Sequence, residues 1–185
     1  ILGSIQYGKE ADELEALVNN LDPKIQEVPV IVDMKEKIAK LKKVAVGQTA
    51  PDFTQNDPDG NPVTFSDVYS QNELTLLDFW ASWCGPCRRE NPNVVAVYND
   101  FKDDGFSVFG VSLDRDKDAW LKGIEDDGLD WTQVSDLAYW NNTVAQEYAV
   151  QSIPQNLLVD KNGTIVAKNK REEELREVVE EFLAD

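Results

Sequence analysis

From residue 44 onward, two kinds of apolar segment alternate along the chain, and this alternation most constrains the fold. Short runs rich in β-branched and aromatic residues are followed by stretches whose apolar residues recur at helical spacing. Such an alternation is typical of an α/β fold, in which helices cover a sheet that contains parallel strands. The pattern predicts strands at 74–81, 106–112, 132–134, 156–159 and 165–168, and helices at 86–104, 117–126, 143–148 and 172–183.

Two glycine-containing turns predict hairpins at the two ends of this region. Asn162-Gly163 lies between the last two predicted strands, and such a pair suits a tight antiparallel turn because both residues tolerate a positive φ. Asp59-Gly60 precedes residues 62–65 and predicts another hairpin at the front. The sheet is therefore expected to be mixed, with parallel and antiparallel neighbours.

Residues 1–43 form a helical extension in this interpretation, ahead of a single domain at 44–185. Apolar residues at helical spacing over 14–21 predict a first helix. Asp33, with Glu36 three residues on, resembles a capping box and predicts the start of a second helix. Neither helix buries enough surface alone. The segment therefore packs on the main domain, links it to something else as a solvated helix, or is the tail of a missing upstream domain.

The net charge of −17 excludes some classes of partner. Residues 1–43 carry seven Lys and Arg against eight Asp and Glu, whereas the remainder carries eleven against twenty-seven. The acidity therefore belongs to the main domain. A surface this negative repels phosphate backbones and anionic lipid, so neither nucleic acid nor a membrane surface is an expected electrostatic partner.

The chain shows no membrane-spanning or targeting segment. No apolar run approaches the roughly 20 residues that cross a bilayer, and no signal-peptide core is visible. Because the chain begins with Ile1 rather than Met, we expect it to be a mature or trimmed piece of a longer precursor. A signal peptide or lipid anchor would then lie upstream.

Cys84 and Cys87 are the only cysteines, and they flank a Gly-Pro spacer. Such a pair can be two free thiols, a structural bridge, half of a metal site or a redox couple. The chain has no histidine, and two thiolates cannot complete a tetrahedral zinc site by themselves, so we expect no metal. A structural bridge closing so short a loop would add little constraint to the unfolded chain. The redox couple is the favoured reading, and it needs no cofactor.

The position of Pro86 predicts how the two thiols divide the chemistry. Proline at a first helical position loses no hydrogen bond, so Cys84 is placed at or next to the helix N-cap. The positive end of the helix favours a thiolate there, which makes Cys84 the predicted nucleophile. Cys87 lies one turn further on the same face and is the predicted resolving thiol. Spacing alone does not decide whether the pair reduces or donates disulfides.

Asp78 is a candidate catalytic residue because it lies within a run that predicts a strand covered on both faces. A buried carboxyl group without a partner has a raised pKa and can exchange a proton with the resolving thiol. We therefore predict Asp78 to be a proton relay. The alternative is an edge-strand or salt-bridged aspartate with no catalytic part.

A resemblance to a known family rests on four stretches of the sequence. The TlpA/ResA-like thiol-disulfide oxidoreductases, which are AhpC/TSA-related redoxins, have an active-site stretch similar to residues 79–90. Their opening hairpin resembles residues 46–53, their next strand resembles 110–114, and the loop before their last hairpin resembles 153–160. The resemblance covers essentially residues 44–185.

This resemblance implies a thioredoxin-like fold with a central mixed β-sheet flanked by helices, an N-terminal β-hairpin and a helical insertion at 114–130. It implies protein or peptide disulfides as substrates and a membrane thiol-disulfide carrier as electron donor. It also implies a periplasmic or other extracytoplasmic location, with a lipid anchor on the precursor.

The resemblance also implies which residues bind the substrate. It makes the bond before Pro154 cis, although the sequence alone favours the commoner trans proline. Ile153 and Pro154 then offer backbone hydrogen bonds to an extended client, and Trp83 shapes the docking face, unless it is simply packed at the strand end. Gly85 and Pro86 complete the predicted substrate-binding set.

Two other functions remain open from the residues. A peroxiredoxin-like thiol peroxidase shares the fold, but Ala81 and Leu77 stand where such enzymes carry threonine and proline relative to Cys84. A redox-sensing binding module would use the cysteines only to switch a partner surface. Asp78 and the Gly-Pro spacer favour the protein-disulfide reductase.

Overall fold

The computed structural model describes residues 11–184. The strands are β1 Thr54–Asn56, β2 Pro62–Thr64, β3 Leu74–Trp80, β4 Phe106–Ser112, β5 Thr132–Val134, β6 Gln155–Asp160 and β7 Ile165–Lys168. The α-helices are α1 Ala11–Asn19, α2 Pro23–Gln26, α3 Pro29–Lys43, α4 Phe65–Tyr69, α5 Gly85–Phe101, α6 Lys117–Asp127, α7 Thr143–Glu147 and α8 Glu172–Leu183. Short 3₁₀ turns follow α5 at Lys102–Asp104 and precede α7 at Tyr139–Asn141.

Five strands form a mixed sheet in the order β5-β4-β3-β6-β7. Strands β3, β4 and β5 run parallel, while β6 is antiparallel to both β3 and β7. Strands β1 and β2 form the separate hairpin predicted around Gly60, which has a φ of +88°. The predicted α/β sheet and both hairpins are confirmed, and the element boundaries agree to within a few residues.

Strand β3 is the centre of the fold. All seven of its residues are buried, as expected for a strand with helices on both faces and neighbours on both sides. Its carboxyl end therefore lies in the middle of the sheet edge, and the chain there passes directly into the loop before α5. The loop that follows β3 is therefore attached to a fully buried central strand.

The N-terminal helices have a small core of their own. Side chains of α1 and α3 form a cluster of five buried residues, separate from the main core, which begins at Val44. Lys40 on α3 reaches the main domain, where its Nζ donates to the Gln146 carbonyl at 3.3 Å. None of the helices in residues 11–184 has the length and apolarity that a membrane span requires. Residues 1–10 of the predicted extension lie outside the described part of the chain.

The predicted start of the second helix was wrong. Helix α3 begins at Pro29, four residues before Asp33, with Val28 as its N-cap. Proline is favoured in the first turn because its φ is already helical and its missing N–H would have no partner there. Asp33 and Glu36 therefore lie inside the helix and form no capping box. The short helix α2 was not predicted.

Gly110 in β4 allows a buried hydrogen bond to cross the sheet. The Trp80 indole Nε1 donates to Gln133 Oε1 at 2.9 Å, and a Cβ atom on residue 110 would lie 2.3 Å from that same oxygen. Gln133 is only 4% exposed, so its amide has little room to move away. The glycine is therefore required by a close approach between side chain and backbone.

We expect Gly110→Ala to lower the free energy of unfolding by about 1–3 kcal/mol, because the added methyl group overpacks this site and breaks the Trp80 bond. Urea denaturation followed by circular dichroism measures the change. Ser107→Ala, a half-buried position on the same strand, is the matched control and should change stability by less than about 0.5 kcal/mol. Equal stability of the Gly110→Ala variant and the parent would contradict the packing argument.

Candidate active site

Cys84 is the N-cap residue of α5, as the position of Pro86 predicted. Its backbone is extended, and its Sγ atom accepts a hydrogen bond from the Cys87 amide at 3.2 Å. The first amides of a helix have no partner within the helix, and together with the helix dipole they favour a negative charge at this point. The Cys84 sulfur therefore occupies a position that stabilises a thiolate.

Cys84 and Cys87 are joined by a disulfide, with their Cα atoms 5.2 Å apart. Cys84 is 4% exposed and Cys87 is 1% exposed, so the disulfide is shielded from water. The neighbouring residues Trp83, Gly85 and Pro86 are all exposed. These three residues therefore form the exposed surroundings of the buried sulfurs.

The loop before β6 lies against the nucleophilic sulfur. The Ile153 carbonyl oxygen is 3.6 Å from Cys84 Sγ, and the Ile153–Pro154 bond is cis, as the family resemblance implied. Ile153 is half-buried, whereas Pro154 is buried and its carbonyl accepts a hydrogen bond from the Arg171 guanidinium. Of the two residues predicted to contact a client, Ile153 is therefore the one at the surface.

Asp78 is buried at the centre of the sheet, as predicted. It lies on β3 between Gly110 of β4 and Asn156 of β6, and it is 6% exposed. The pKa of Asp78 is raised to about 7, chiefly by burial and also by the negative charge of Glu90, while the positive charge of Arg171 opposes both. Among the described residues no hydrogen bond to its carboxyl group is present. Asp78 is therefore partly protonated and partly ionised near neutral pH.

The segment after β7 joins three parts of the site. Besides the contact from Arg171 to Pro154, the Glu172 amide donates to Glu90 Oε1 on α5 at 2.9 Å. Asn156 on β6 donates to the Lys170 carbonyl at 2.8 Å and accepts from the Lys170 amide at 3.0 Å. This segment thus fixes the cis-proline loop, the active-site helix and β6 relative to one another.

Residues 46–168 match the sequence profile of the AhpC/TSA family. The chain belongs to the AhpC/TSA family. Among curated relatives, it is 35% identical over 122 residues to the thiol-disulfide oxidoreductase ResA of Geobacillus kaustophilus, covering 66% of this chain and 67% of that protein. The ResA protein of Bacillus cereus is 26% identical over 145 residues, which cover 78% of this chain and 80% of that protein.

Solved structures of similar proteins show the same fold. The thioredoxin domain of a thiol-disulfide oxidoreductase from Bacteroides vulgatus is 40% identical with a TM-score of 0.69, covering 75% of this chain and 98% of that one. A thiol:disulfide interchange protein from a Bacteroides species is 38% identical with a TM-score of 0.68, and the match covers 77% of this chain and 93% of that one. The AhpC/TSA chain described here is thus a thiol-disulfide oxidoreductase with a thioredoxin-like fold, as predicted.

Asp114 anchors the active-site loop of this AhpC/TSA chain, and sequence reasoning missed it. Its carboxylate accepts hydrogen bonds from the Ser82 amide at 2.9 Å, the Ser82 hydroxyl at 2.7 Å and the Ser112 hydroxyl at 2.7 Å. The available signal was its position two residues after β4, because the carboxyl ends of adjacent parallel strands share one edge of the sheet.

Two arginines at the start of α5 were also missed. Arg88 pairs with Asp127 on α6 at 2.5 Å and donates to the Ser82 carbonyl at 3.2 Å. Arg89 is exposed, and its Nη1 lies 3.5 Å from where a Cβ atom on Gly85 would be. Its positive charge next to the helix N-terminus adds to the field that favours a thiolate.

Trp83 belongs to an aromatic cluster with Tyr139 and Trp140. Its ring centroid lies 5.0 Å from that of Tyr139 and 6.2 Å from that of Trp140, and those two rings are 6.1 Å apart. The guanidinium of Arg115 lies 4.0 Å from the Tyr139 ring centroid. The adjacent aromatic pair was the only sequence signal, and nothing in the sequence showed which part of the fold it would contact.

Among residues 11–184, no group of three or more cysteine and acidic side chains is arranged to hold a metal ion.

We expect Asp78→Asn to stabilise the oxidised protein in a pH-dependent way. The pKa of Asp78 is about 7 in the folded protein and 3.8 for an unperturbed aspartate, so the parent loses stability as pH rises from about 4 to about 7. The loss is on the order of 4 kcal/mol at pH 8 and absent below pH 4. Urea unfolding of both proteins at several pH values measures it.

The free energy of unfolding of Asp78→Asn minus that of the parent should therefore grow with pH and level off above pH 7. Asp103→Asn, an exposed position with the same charge change, should show no such growth. A constant difference between pH 4 and pH 8 would contradict the raised pKa.

Proposed function

We propose that the protein reduces disulfides of protein clients, with residues 44–185 as the redox domain and residues 1–43 as a helical extension. Cys84 is the nucleophile, Cys87 is the resolving thiol and Asp78 relays the proton. Trp83, Gly85, Pro86 and Ile153 form the client-binding surface, with Pro154 as a buried part of the same loop.

The position of Cys84 Sγ is the single observation that carries this proposal. The sulfur accepts the Cys87 amide hydrogen at 3.2 Å and lies 3.6 Å from the Ile153 carbonyl. The first contact stabilises a thiolate, which is the attacking species in disulfide exchange. The second places a carbonyl of the bend before β6 next to the reacting atom, where the backbone of a client can hydrogen-bond with it.

The proposed reaction has two steps. The Cys84 thiolate attacks one sulfur of the client disulfide, so that a mixed disulfide forms, the client S–S bond breaks and the first client thiolate leaves and takes a proton. Cys87 then loses its proton and attacks the Cys84 sulfur, which forms the Cys84–Cys87 disulfide and releases the second client thiolate to be protonated. Two electrons pass from the protein to the client.

Asp78 supports the second step because Cys87 is 1% exposed and has little access to water as a base. A carboxyl group whose pKa is about 7 can accept the Cys87 proton and return it at neutral pH. Burial of this carboxyl group costs stability, and an acid at the centre of a sheet suits a role in proton transfer better than a role in folding.

The proposal extends to the electron donor and the compartment. The relatives named above are thiol-disulfide oxidoreductases, and stable disulfides occur mainly in proteins outside the cytoplasm. We therefore place the protein in the periplasm or another extracytoplasmic space. A membrane thiol carrier would reduce the Cys84–Cys87 disulfide, and a lipid anchor on the precursor would keep the two together.

We expect the parent to catalyse insulin reduction by dithiothreitol, and Cys84→Ser and Cys87→Ser each to lose this activity, because each variant lacks one sulfur of the exchange. Turbidity of the reduced insulin chains measures it. Cys87→Ser alone should accumulate mixed disulfides with clients, since its Cys84 thiolate can attack but cannot be resolved; intact-mass spectrometry detects them.

The double variant with both substitutions is the control and should trap no client. Peroxide consumption is measured in parallel on the parent. Peroxide turnover without insulin reduction would replace the proposed function by a thiol peroxidase, and no turnover of either substrate would favour a redox-sensing module.

We expect Asp78→Asn to lower the insulin-reduction rate at pH 7 by about tenfold or more, because an amide cannot accept the Cys87 proton. The rise in rate that the parent shows near pH 7 should move upward toward the pKa of an ordinary thiol, about 8.5. A pH–rate profile from pH 5.5 to 9.5 measures both effects, with Asp103→Asn as the charge-matched control. A profile identical to that of the parent would leave Asp78 without a role in catalysis.

A further inference from the structure

We propose that the aromatic cluster of Trp83, Tyr139 and Trp140 binds an aromatic side chain that flanks the disulfide cysteine of an extended client polypeptide. This inference rests on the proposed function, since it names a feature of the clients that the site reduces. Tyr139 and Trp140 lie in the turn before α7, which is separate in sequence from both the cysteine segment and the cis-proline loop.

The cluster is accessible and continuous with the redox site. Trp83 is 46% exposed and immediately precedes Cys84, while Tyr139 and Trp140 are half-buried. The three ring centroids are 5.0 to 6.2 Å apart and the rings are inclined to one another by 48° to 76°. A client that reaches Cys84 passes beside these rings.

The turn that carries the cluster is held in a strained conformation. Leu137 and Tyr139 have φ values of +56° and +59°, which side chains other than glycine rarely adopt. Such strain persists only where the surroundings determine it, and it concentrates at functional sites.

Hydrogen bonds to Asp136 and Ser135 stabilise this strained conformation. Asp136 accepts from the Ala138 amide at 3.1 Å and from the Thr143 amide at 2.9 Å, and Ser135 Oγ accepts from the Leu137 amide at 3.0 Å. The rings are thus presented on a fixed turn.

The tyrosine ring has no part in the main core. Trp140 packs against that core, but Tyr139 contacts the other two rings and Arg115. A large aromatic ring at the surface that is not packed into the core has apolar area left for contact with a partner. Aromatic rings bind other rings well, and fixing them costs little conformational entropy.

The charge of Arg115 decides the chemistry of the partner. Its guanidinium lies 4.0 Å from the centroid of the Tyr139 ring, so a lysine or arginine of the client would meet a like charge there. A neutral aromatic side chain meets no such repulsion. Because Trp83 immediately precedes Cys84 and an extended chain spans about 3.3 Å per residue, this side chain lies a few positions from the client cysteine.

The test compares two nine-residue peptides, each with one central cysteine oxidised to its homodimer. One carries phenylalanine two positions from the cysteine and the other carries serine there. The dithiothreitol-reduced full chain is freed of dithiothreitol and mixed with each peptide, and the loss of the protein's own two thiols is followed by acid quench, alkylation and mass spectrometry of the protein. For the parent we expect a second-order rate constant about tenfold larger with the phenylalanine peptide.

Tyr139→Asn should reduce this preference to about twofold or less. Asparagine tolerates a positive φ, so the turn keeps its backbone. Tyr139→Phe keeps the ring and should keep the preference. Phe101→Ser is the matched control, because Phe101 also carries an arginine guanidinium over its ring, that of Arg176 at 5.5 Å, but lies at the far end of α5. It should also keep the preference.

Oxidised glutathione is the third substrate and carries no aromatic group. A parent that reacts with oxidised glutathione but shows equal rates with the two peptides would overturn this inference and leave the proposed function standing. A parent that reacts with none of the three disulfides would overturn the proposed function itself, and this inference with it.

Two further outcomes would also overturn the inference. One is an unchanged preference in Tyr139→Asn, since the ring would then make no contact with the client. The other is a parent that sediments as a dimer and a Tyr139→Asn variant that sediments as a monomer, which would assign the cluster to a second copy of the chain. The measurement on the parent needs no variant and therefore decides the inference even where a variant fails to fold.

Discussion

The hydrogen bond from the Cys87 amide to the Cys84 sulfur is the interaction on which the redox site depends. The first amides of any helix lack partners within the helix, and an N-cap side chain normally supplies an oxygen to one of them. Here a sulfur takes that place. The contact that begins the helix is therefore the same contact that prepares the nucleophile, so α5 and the reactivity of Cys84 depend on each other.

Asp78 shows the opposite relation between folding and function. Five of the other six residues of β3 are apolar and covered on both faces, as a central strand requires. A carboxyl group in that strand weakens the fold whenever it is ionised. The sheet can hold it because the remaining strand residues bury enough apolar surface. Local rules of this kind are most often broken where a protein performs chemistry.

The sequence predicted those features that depend on local patterns. The strands, the cysteine pair at the start of a helix and the buried Asp78 all follow from residues close together in the chain. Asp114, Arg171 and the Tyr139-Trp140 pair did not follow. Each reaches the site through a tertiary contact between residues far apart in the chain. Ser82 and Asp114 are 32 residues apart, and Pro154 and Arg171 are 17 residues apart. The capping box at Asp33 failed because Pro29 begins its helix earlier.

The segment after β7 has a consequence for the geometry of the whole site. Arg171 holds the cis-proline loop, and Glu172, the first residue of α8, holds Glu90 on the active-site helix. The distance between the cis-proline loop and α5 is thus set by residues at the start of the C-terminal helix. A displacement of α8 would therefore shift the cis-proline loop relative to the Cys84 sulfur, even with no substitution among the residues that surround that sulfur.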